Sequence, residues 1–317
     1  GTRHLGREDQ GLGLGVKRFP VAILGPGRVG AAVGAALVQS GWPVVACASR
    51  SAAAAADAAA FIGGSCAPSK ASDLGAALVA SSDSSAADVS GLLLVCVPDP
   101  AIAKATMGDA LGTAALEGES WVMAHTSGAL TASVLGAPAG MPLLGSMHPS
   151  QTFPDRERGQ VLLPGVSWGI ETDSDSARTA MEAVVVALGG RPRSVAAEDK
   201  TLYHAGCVIA ANALVALMDA AAAAQGGDQE QALEALRPLA EGALDSAVHL
   251  GPEAALTGPV ARGDAALVAA HMSALAAEVP ELVETYRALS LRALAIARRA
   301  GLGEAAADAV ERSLGDG

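Results

Sequence analysis

The chain has 317 residues, 51% of them hydrophobic and only 3% aromatic, and a formal net charge of −12. That length suits two ordinary domains, and the Ala-rich, aromatic-poor composition favours packed helices over a β-sandwich core. No block of Lys or Arg is present, which argues against nucleic acid or an anionic membrane as a partner; an anionic ligand must meet locally placed positive charge.

In chain order, Gly1 to Arg18 lacks an apolar segment and carries Arg3, Arg7, Glu8, Asp9, Lys17 and Arg18. It reads as a loose arm, not a signal peptide or anchor. Val21 to Leu24 reads as a buried strand that runs into Gly25-Pro26-Gly27-Arg28-Val29-Gly30 and then an Ala-rich helix up to Gly41. Strand, glycine turn and helix form the context in which GxGxxG binds a dinucleotide. Gly25 permits the sharp turn, Gly27 lets main chain approach a pyrophosphate, and Gly30 lets helix and strand pack closely, with the phosphates on free helix N–H groups.

Val44 to Ala48 is a second strand, followed by Ser49-Arg50-Ser51. A preference for NAD calls for an acid roughly 20 residues past the glycines, and here hydroxyls and a cation stand instead, as NADP requires. Arg50 also fits a plain solvated charge at a strand end. A helix at Ala52–Ala60, a short strand at Ser65–Ala67, a helix at Ala71–Ala80 and a Ser/Asp-rich connection at Ser81–Ser90 follow. Leu92 to Val97 reads as a strand buried on both faces. Its end, Val97-Pro98, lies where cofactors sit in open α/β sheets. Asp99 before Pro100 suits a helix N-cap. Further strands are predicted at Trp121–His125, Leu143–Met147, Val166–Ile170 and Arg193–Val195, with a helix at Ser174–Leu188. The first two end in polar clusters, His125-Thr126-Ser127-Gly128 and His148-Pro149-Ser150-Gln151.

Strands alternating with helices make residues 19–195 one doubly wound α/β domain. From Ala196 the pattern is helical throughout, with helices predicted at Glu198–Ala224, Asp228–Leu250, Asp264–Glu278, Pro280–Ala300 and after Gly303, so residues 196–317 form an all-helical second domain. Thr201 to Met218 is uncharged over a helix length; Tyr203, His204 and Asn212 make it too polar for a span, and it reads as a buried helix. Cys47, Cys66, Cys96 and Cys207 show no CxxC spacing and read as reduced, buried thiols of a cytoplasmic protein, with no metal site.

Lys200, His204 and Asn212 fall at i, i+4 and i+12 on the first long helix, hence on one face. A rise of about 1.5 Å per residue puts Lys200 and Asn212 roughly 18 Å apart, so they cannot grip one atom, whereas Lys200 and His204, about 6 Å apart, can. Either could protonate a carbonyl being reduced; equally, Lys200 fits a solvated helix start and His204 a core histidine. Arg262, fixed between Gly258-Pro259 and Gly263-Asp264, suits bidentate capture of a carboxylate, or an ion pair with Asp264 or Glu253. His148 fits substrate binding or a turn before proline.

Six segments together resemble the Rossmann-like oxidoreductases that carry a helical C-terminal domain of unknown function 2520. They are VAILGPGRVG (Val21–Gly30), VPD (Val97–Asp99), HTSGAL (His125–Leu130), SMHPSQTF (Ser146–Phe153), KTLYHAGCVIAANALVAL (Lys200–Leu217) and ALTGPVARGD (Ala255–Asp264). The resemblance implies an NADP-binding fold related to ketopantoate reductase and pyrroline-carboxylate reductase, dimeric through the helical domain. Ketopantoate reductases place Asn four residues after the catalytic Lys, and here that position is His204. The expectation is an NADPH-dependent reductase of a small anionic carbonyl or imine compound. It places Gly25, Gly27, Arg28, Val29 and Gly30 at the pyrophosphate, Ser49 and Arg50 at the 2′-phosphate, and Val97, Pro98, Thr126 and Ser127 along the nicotinamide side. Lys200 or His204 would give the proton, with His148, Asn212 and Arg262 toward the substrate. The alternatives are a dinucleotide sensor or assembly protein without turnover, and a deazaflavin-dependent reductase.

Overall fold

The computed structural model describes residues 18–82, 89–136, 138–140 and 142–315. The N-terminal arm, but for Arg18, and residues 83–88 of the Ser/Asp-rich connection lie outside them. The chain divides into two compact units, Gly1–Ala211 and Asn212–Gly317.

In the first unit, strands β1 (Val21–Leu24), β2 (Val44–Ala48), β3 (Ala67–Ser69), β4 (Gly91–Val95), β5 (Trp121–His125), β6 (Leu143–Pro149), β7 (Ser167–Glu171) and β8 (Arg191–Ser194) form one sheet in the order β3-β2-β1-β4-β5-β6-β7-β8. Neighbours are parallel except β6 with β7. Every residue of β1, β4 and β5 is buried, because helices cover both sheet faces, and that is why their sequences are continuous apolar runs without alternation. One face packs under α1 (Arg28–Gln39), α2 (Ala52–Ile62) and α6 (Asp175–Ala187), the other under α3 (Leu74–Ser81), α4 (Ile102–Thr106) and short turns. A further helix, α5 (Arg156–Leu162), has its Gly159 against Ala32 of α1. Strand order reverses between β1 and β4, so the crevice beyond Leu24 and Val95 is the switch point where such sheets take ligands.

Three expectations are corrected. Asp99 is not an N-cap: Pro98 caps a 3₁₀ turn over Asp99–Ala101 without a side-chain bond, and the Asp99 carboxylate accepts from Ser127 Oγ at 2.8 Å. All four cysteines are free, but only Cys47 is fully buried; Cys66 and Cys96 fall just outside the strands. The Thr201–Met218 run is largely exposed. It comprises α7 (Lys200–Val208), a π-helical turn at Ile209–Ala213 and α8 (Leu214–Gln225). Within α7 only Lys200 is buried, while Leu202 and Val208, and Ile209 of the π-helical turn, are exposed. The run Ala197–Gln225 is long and apolar enough to cross a membrane by length and composition, yet its first half is held by polar contacts to the ends of β5 and β6, described below.

The second unit adds α9 (Gln229–Leu250), α10 (Pro252–Ala255), α11 (Pro259–Arg262), α12 (Ala265–Glu278), α13 (Val283–Arg299) and α14 (Glu304–Leu314). Its buried apolar cluster is small: Val260, Val268, Leu294, Ala307, Val310 and Leu314.

Candidate functional site

The glycine turn after β1 behaves as its spacing demands. Gly25 has φ +78°, and a Cβ there would meet Val97 Cγ1 at 2.7 Å and the Cys96 carbonyl at 3.0 Å. A Cβ on Gly30 would fall 2.8 Å from the Gly25 carbonyl oxygen, the close helix–strand approach expected of the third glycine. Gly27 differs: nothing lies within 4 Å of where its Cβ would be. It is also the N-cap of α1 and has no side chain to bond the first-turn N–H groups. An open cradle over an uncapped helix N-terminus fits a dinucleotide pyrophosphate. Arg28 is exposed and Val29 half-buried at its rim.

At the end of β2, Ser49 is half-buried and Arg50 exposed. Ser51 is used locally, its Oγ accepting the Ala54 N–H to cap α2 at 3.2 Å. Beyond β4 and β5, Val97 and Thr126 line the same crevice: the Thr126 N–H donates to the Val95 carbonyl at 3.2 Å. Pro98 is exposed beside them. Burial pushes the nearby Cys96 thiol up to about 12 and keeps it protonated.

Buried polar groups gather under the ends of β5, β6 and β7. Lys200 opens α7 and is 1% exposed. Its Nζ donates to Ser146 Oγ at 2.6 Å and to the Ser127 carbonyl at 3.3 Å. Ser146 in turn donates to Glu171 Oε2 at 3.3 Å, and the same oxygen accepts the Ala132 N–H at 2.7 Å. Burial lowers the Lys200 pKa, opposed by the carboxylates of Glu171 and Asp99. His125 is spent on shaping its own turn: one ring nitrogen donates to the Thr131 carbonyl at 3.0 Å, and the other accepts the Ser127 N–H at 3.1 Å. Burial drops its pKa to about 4.

Above this cluster two imidazoles meet. The His148 and His204 rings are 5.5 Å apart, edge to face, and both are half-buried. A Cβ on Gly128 would collide with His204 and come within 2.8 Å of His148 Nε2, so the glycine of the HTSG turn admits both rings. His148 is pushed down to about 4, by burial first and then by His204 and Lys200, which makes it neutral and a poor counter-ion for a carboxylate.

Of the predicted residues, the fold brings together Ser127, His148, Lys200 and His204. It does not carry Asn212 along with them. The π-helical turn at Ile209–Ala213 breaks the 3.6-residue register, and Asn212 is an exposed residue at the start of the second unit. Arg262 ends α11 in that unit and is exposed. Neither of its expected ionic partners engages it: Asp264 caps α12 through the Leu267 N–H, and Glu253 pairs with Arg299 at 2.7 Å. Sequence reasoning missed Ser146, Glu171, Tyr203 and Ser150. A glutamate closing an apolar strand was the legible signal for Glu171, and Ser150 stood in the polar cluster that ends the Leu143–Met147 strand.

Two family profiles match the chain: a Rossmann-like domain over residues 6–149 and the domain of unknown function DUF2520 over residues 166–293. The chain is a Rossmann-like protein with a DUF2520 region. The polar cluster joins the two: Ser127, Ser146 and His148 come from the Rossmann-like part, and Glu171, Lys200, Tyr203 and His204 from DUF2520. No curated protein matches the sequence. Among solved structures, a Bacteroides fragilis protein described as a candidate NADP oxidoreductase is 22% identical with TM-score 0.65, covering 87% of this chain and 98% of its own. Protein TM1727 of Thermotoga maritima is also 22% identical, with TM-score 0.63 and coverage of 88% and 98%. The NADP-bound pyrroline carboxylate reductase of Plasmodium falciparum is 8% identical, with TM-score 0.55 and coverage of 94% and 99%. At these identities the likeness is one of fold, a fold on which NADP oxidoreductases are built.

Proposed function

We propose that this chain is an NADPH-dependent reductase of a small carboxylate-bearing carbonyl or imine compound, with ketopantoate the first substrate to try. One observation carries the reading: the open Gly27 cradle at the switch point of the sheet, with a polar cluster and two half-exposed imidazoles at the neighbouring strand ends. When bound, NADPH supplies the hydride. The N–H groups of Arg28, Val29 and Gly30 hold the pyrophosphate, Ser49 and Arg50 the 2′-phosphate, and Val97, Pro98 and Thr126 line the wall toward the nicotinamide. The proton comes from the His148–His204 pair. Lys200, enclosed and committed to Ser146 of β6 and the Ser127 carbonyl of the HTSG turn, ties that strand to that turn and compensates the buried Glu171 carboxylate. We propose further that the protein is a homodimer whose second copy covers the apolar side chains left exposed on the helical unit.

Titration of NADPH and NADH, followed by a screen of 2-oxo acids and cyclic imines read at the nicotinamide absorbance, tests the reading. Arg50→Ala should weaken NADPH by about tenfold, the worth of one exposed charge-assisted hydrogen bond, and leave NADH unchanged. A retained preference for NADPH removes Arg50 from the site. Failure to bind either dinucleotide ends the proposal.

A further inference from the structure

Behind the imidazole pair lies a cavity of about 610 Å³ lined by Ser150, Arg193, Asp199, Tyr203, Cys207 and their neighbours, all in the first unit. Tyr203 is the partition between the two. Its ring lies against Gly169, where a Cβ would come within 2.7 Å of the phenol oxygen, and the guanidinium of Arg193, the register partner of Gly169, sits over the ring at 5.8 Å. Its hydroxyl reaches both ways, to His148 Nδ1 at 3.1 Å and to Ser150 Oγ at 2.7 Å. The Cys207 thiol donates to Ser150 Oγ at 3.8 Å on the cavity wall.

These bonds can all run in one direction, since either oxygen of the Ser150–Tyr203 pair can donate and His148 Nδ1 can accept. If Ser150 accepts from Cys207, its own proton points to Tyr203; the Tyr203 proton then points to His148 Nδ1, and the His148 proton resides on Nε2. That nitrogen faces Gly128 and the HTSG turn. Every member is neutral: burial lowers His148 and raises Tyr203, so neither ionises near pH 7. A chain of neutral groups, each both donor and acceptor, moves a proton without placing a charge in the interior.

We propose that His148, Tyr203 and Ser150 form a proton path from the cavity to the reduction site, with His148 Nε2 as its delivering atom. The inference rests on the reductase reading and deepens it. As the substrate carbon is reduced, the π electron pair of its C=O or C=N bond takes the Nε2 proton. Nδ1 then takes the Tyr203 proton, Tyr203 that of Ser150, and Ser150 one from water in the cavity, which leaves as hydroxide. Once product departs, the His148 ring returns from its Nδ1–H to its Nε2–H tautomer by exchange with water and the Tyr203 and Ser150 hydroxyls rotate back to their starting bonds, so each cycle draws one proton from the cavity. His204 packs against the His148 ring and positions it.

Nitrogen-15 NMR of the histidines in the whole protein tests the path without any substrate, with His148 assigned by His148→Gln. The expected spectrum shows a neutral Nε2–H form at pH 7 that Tyr203→Phe converts to a mixed population. An Nδ1–H form in the native protein, a charged ring, or no response to Tyr203→Phe overturns the path. With NADPH and an acid that the native protein reduces, Tyr203→Phe should lower kcat by about 10²-fold, the lower end of general-acid effects, with KM unchanged. Its solvent isotope effect should change from a multi-proton to a single-proton dependence on deuterium content. His204→Gln should lose less than His148→Gln. If no acid is reduced, the reductase reading fails while the NMR result still decides whether the chain exists.

Discussion

The two units spend their apolar residues differently. In the α/β unit, long side chains of β1, β4, β5 and the helices beside them are wholly buried, and Lys200, Ser146 and Glu171, which share this interior, are bonded to one another. The helical unit buries one small cluster around Leu294. It leaves Leu239, Leu244, Val248 and Leu250 of α9 more than half exposed, at 71%, 60%, 71% and 63%. Both are about equally apolar in sequence; the first buries far more of it. A unit with a large core carries buried polar groups within it, whereas one with so small a core leaves long apolar side chains on its surface.

The comparison breaks most sharply at the polar cluster. In the reductase assay, replacing His148 and His204 together by Gln should cost about 10²- to 10⁴-fold in kcat, as loss of a general acid does, with little change in folding. Lys200→Met should do the reverse. Removing the cation from a buried network leaves Glu171 uncompensated, and the unfolding free energy of the first unit should fall by about 3 kcal/mol. Trp42, Trp121 and Trp168, all in that unit, report its urea transition by fluorescence. A Lys200→Met protein that stays stable but inert would return the proton donor to Lys200.

What the sequence made legible follows the same divide. Wherever a segment is buried on both faces, as Val21–Leu24 and Trp121–His125 are, composition alone located it, because nothing but a central parallel strand tolerates such a run. Gly25 and Gly30 were equally plain, since each has a steric duty that no other residue meets. The cluster was legible only in part. Lys200 and His204 share a helix face and so announced each other, but Glu171 and Ser146 approach them across the sheet and Tyr203, on the same helix, meets His148 and Ser150 from far along the chain, and nothing local records a long-range contact. Asn212 misled for a related reason: its spacing assumed an unbroken helix, and a π-helical turn cannot be read from an Ala-rich stretch. The exposed run after Lys200 looked like core because an exposed apolar stretch has the composition of an interior.

The helical unit offers a second separation. Leu294→Ala removes a fully buried side chain and should cost about 2–5 kcal/mol, read by circular dichroism, to which the second unit contributes most of its signal. The tryptophan transition should stay in place; if both move together, the units unfold as one. Val248→Asp with Leu239→Asp should leave circular dichroism intact and lower the mass in light scattering from dimer to monomer. A native protein that is already monomeric removes the proposed second copy.

The smallest expected effect is in pH. His125 and His148 each titrate near 4 in the folded chain against about 6.5 when unfolded. Between those values the unfolded chain binds protons that the folded chain refuses, so stability is full above about pH 6.5 and falls as pH drops. The slope is at most about 1.4 kcal/mol per pH unit for each ring. It should be seen in the tryptophan transition between pH 7 and pH 5.5, because both rings lie in the first unit. Since His125 is the more deeply enclosed of the two, His125→Asn should remove about half of that slope, whatever it does to stability at pH 7. An unchanged slope in the variant would mean that acid attacks this unit elsewhere, and the buried histidines would lose their place in the contrast between the two halves.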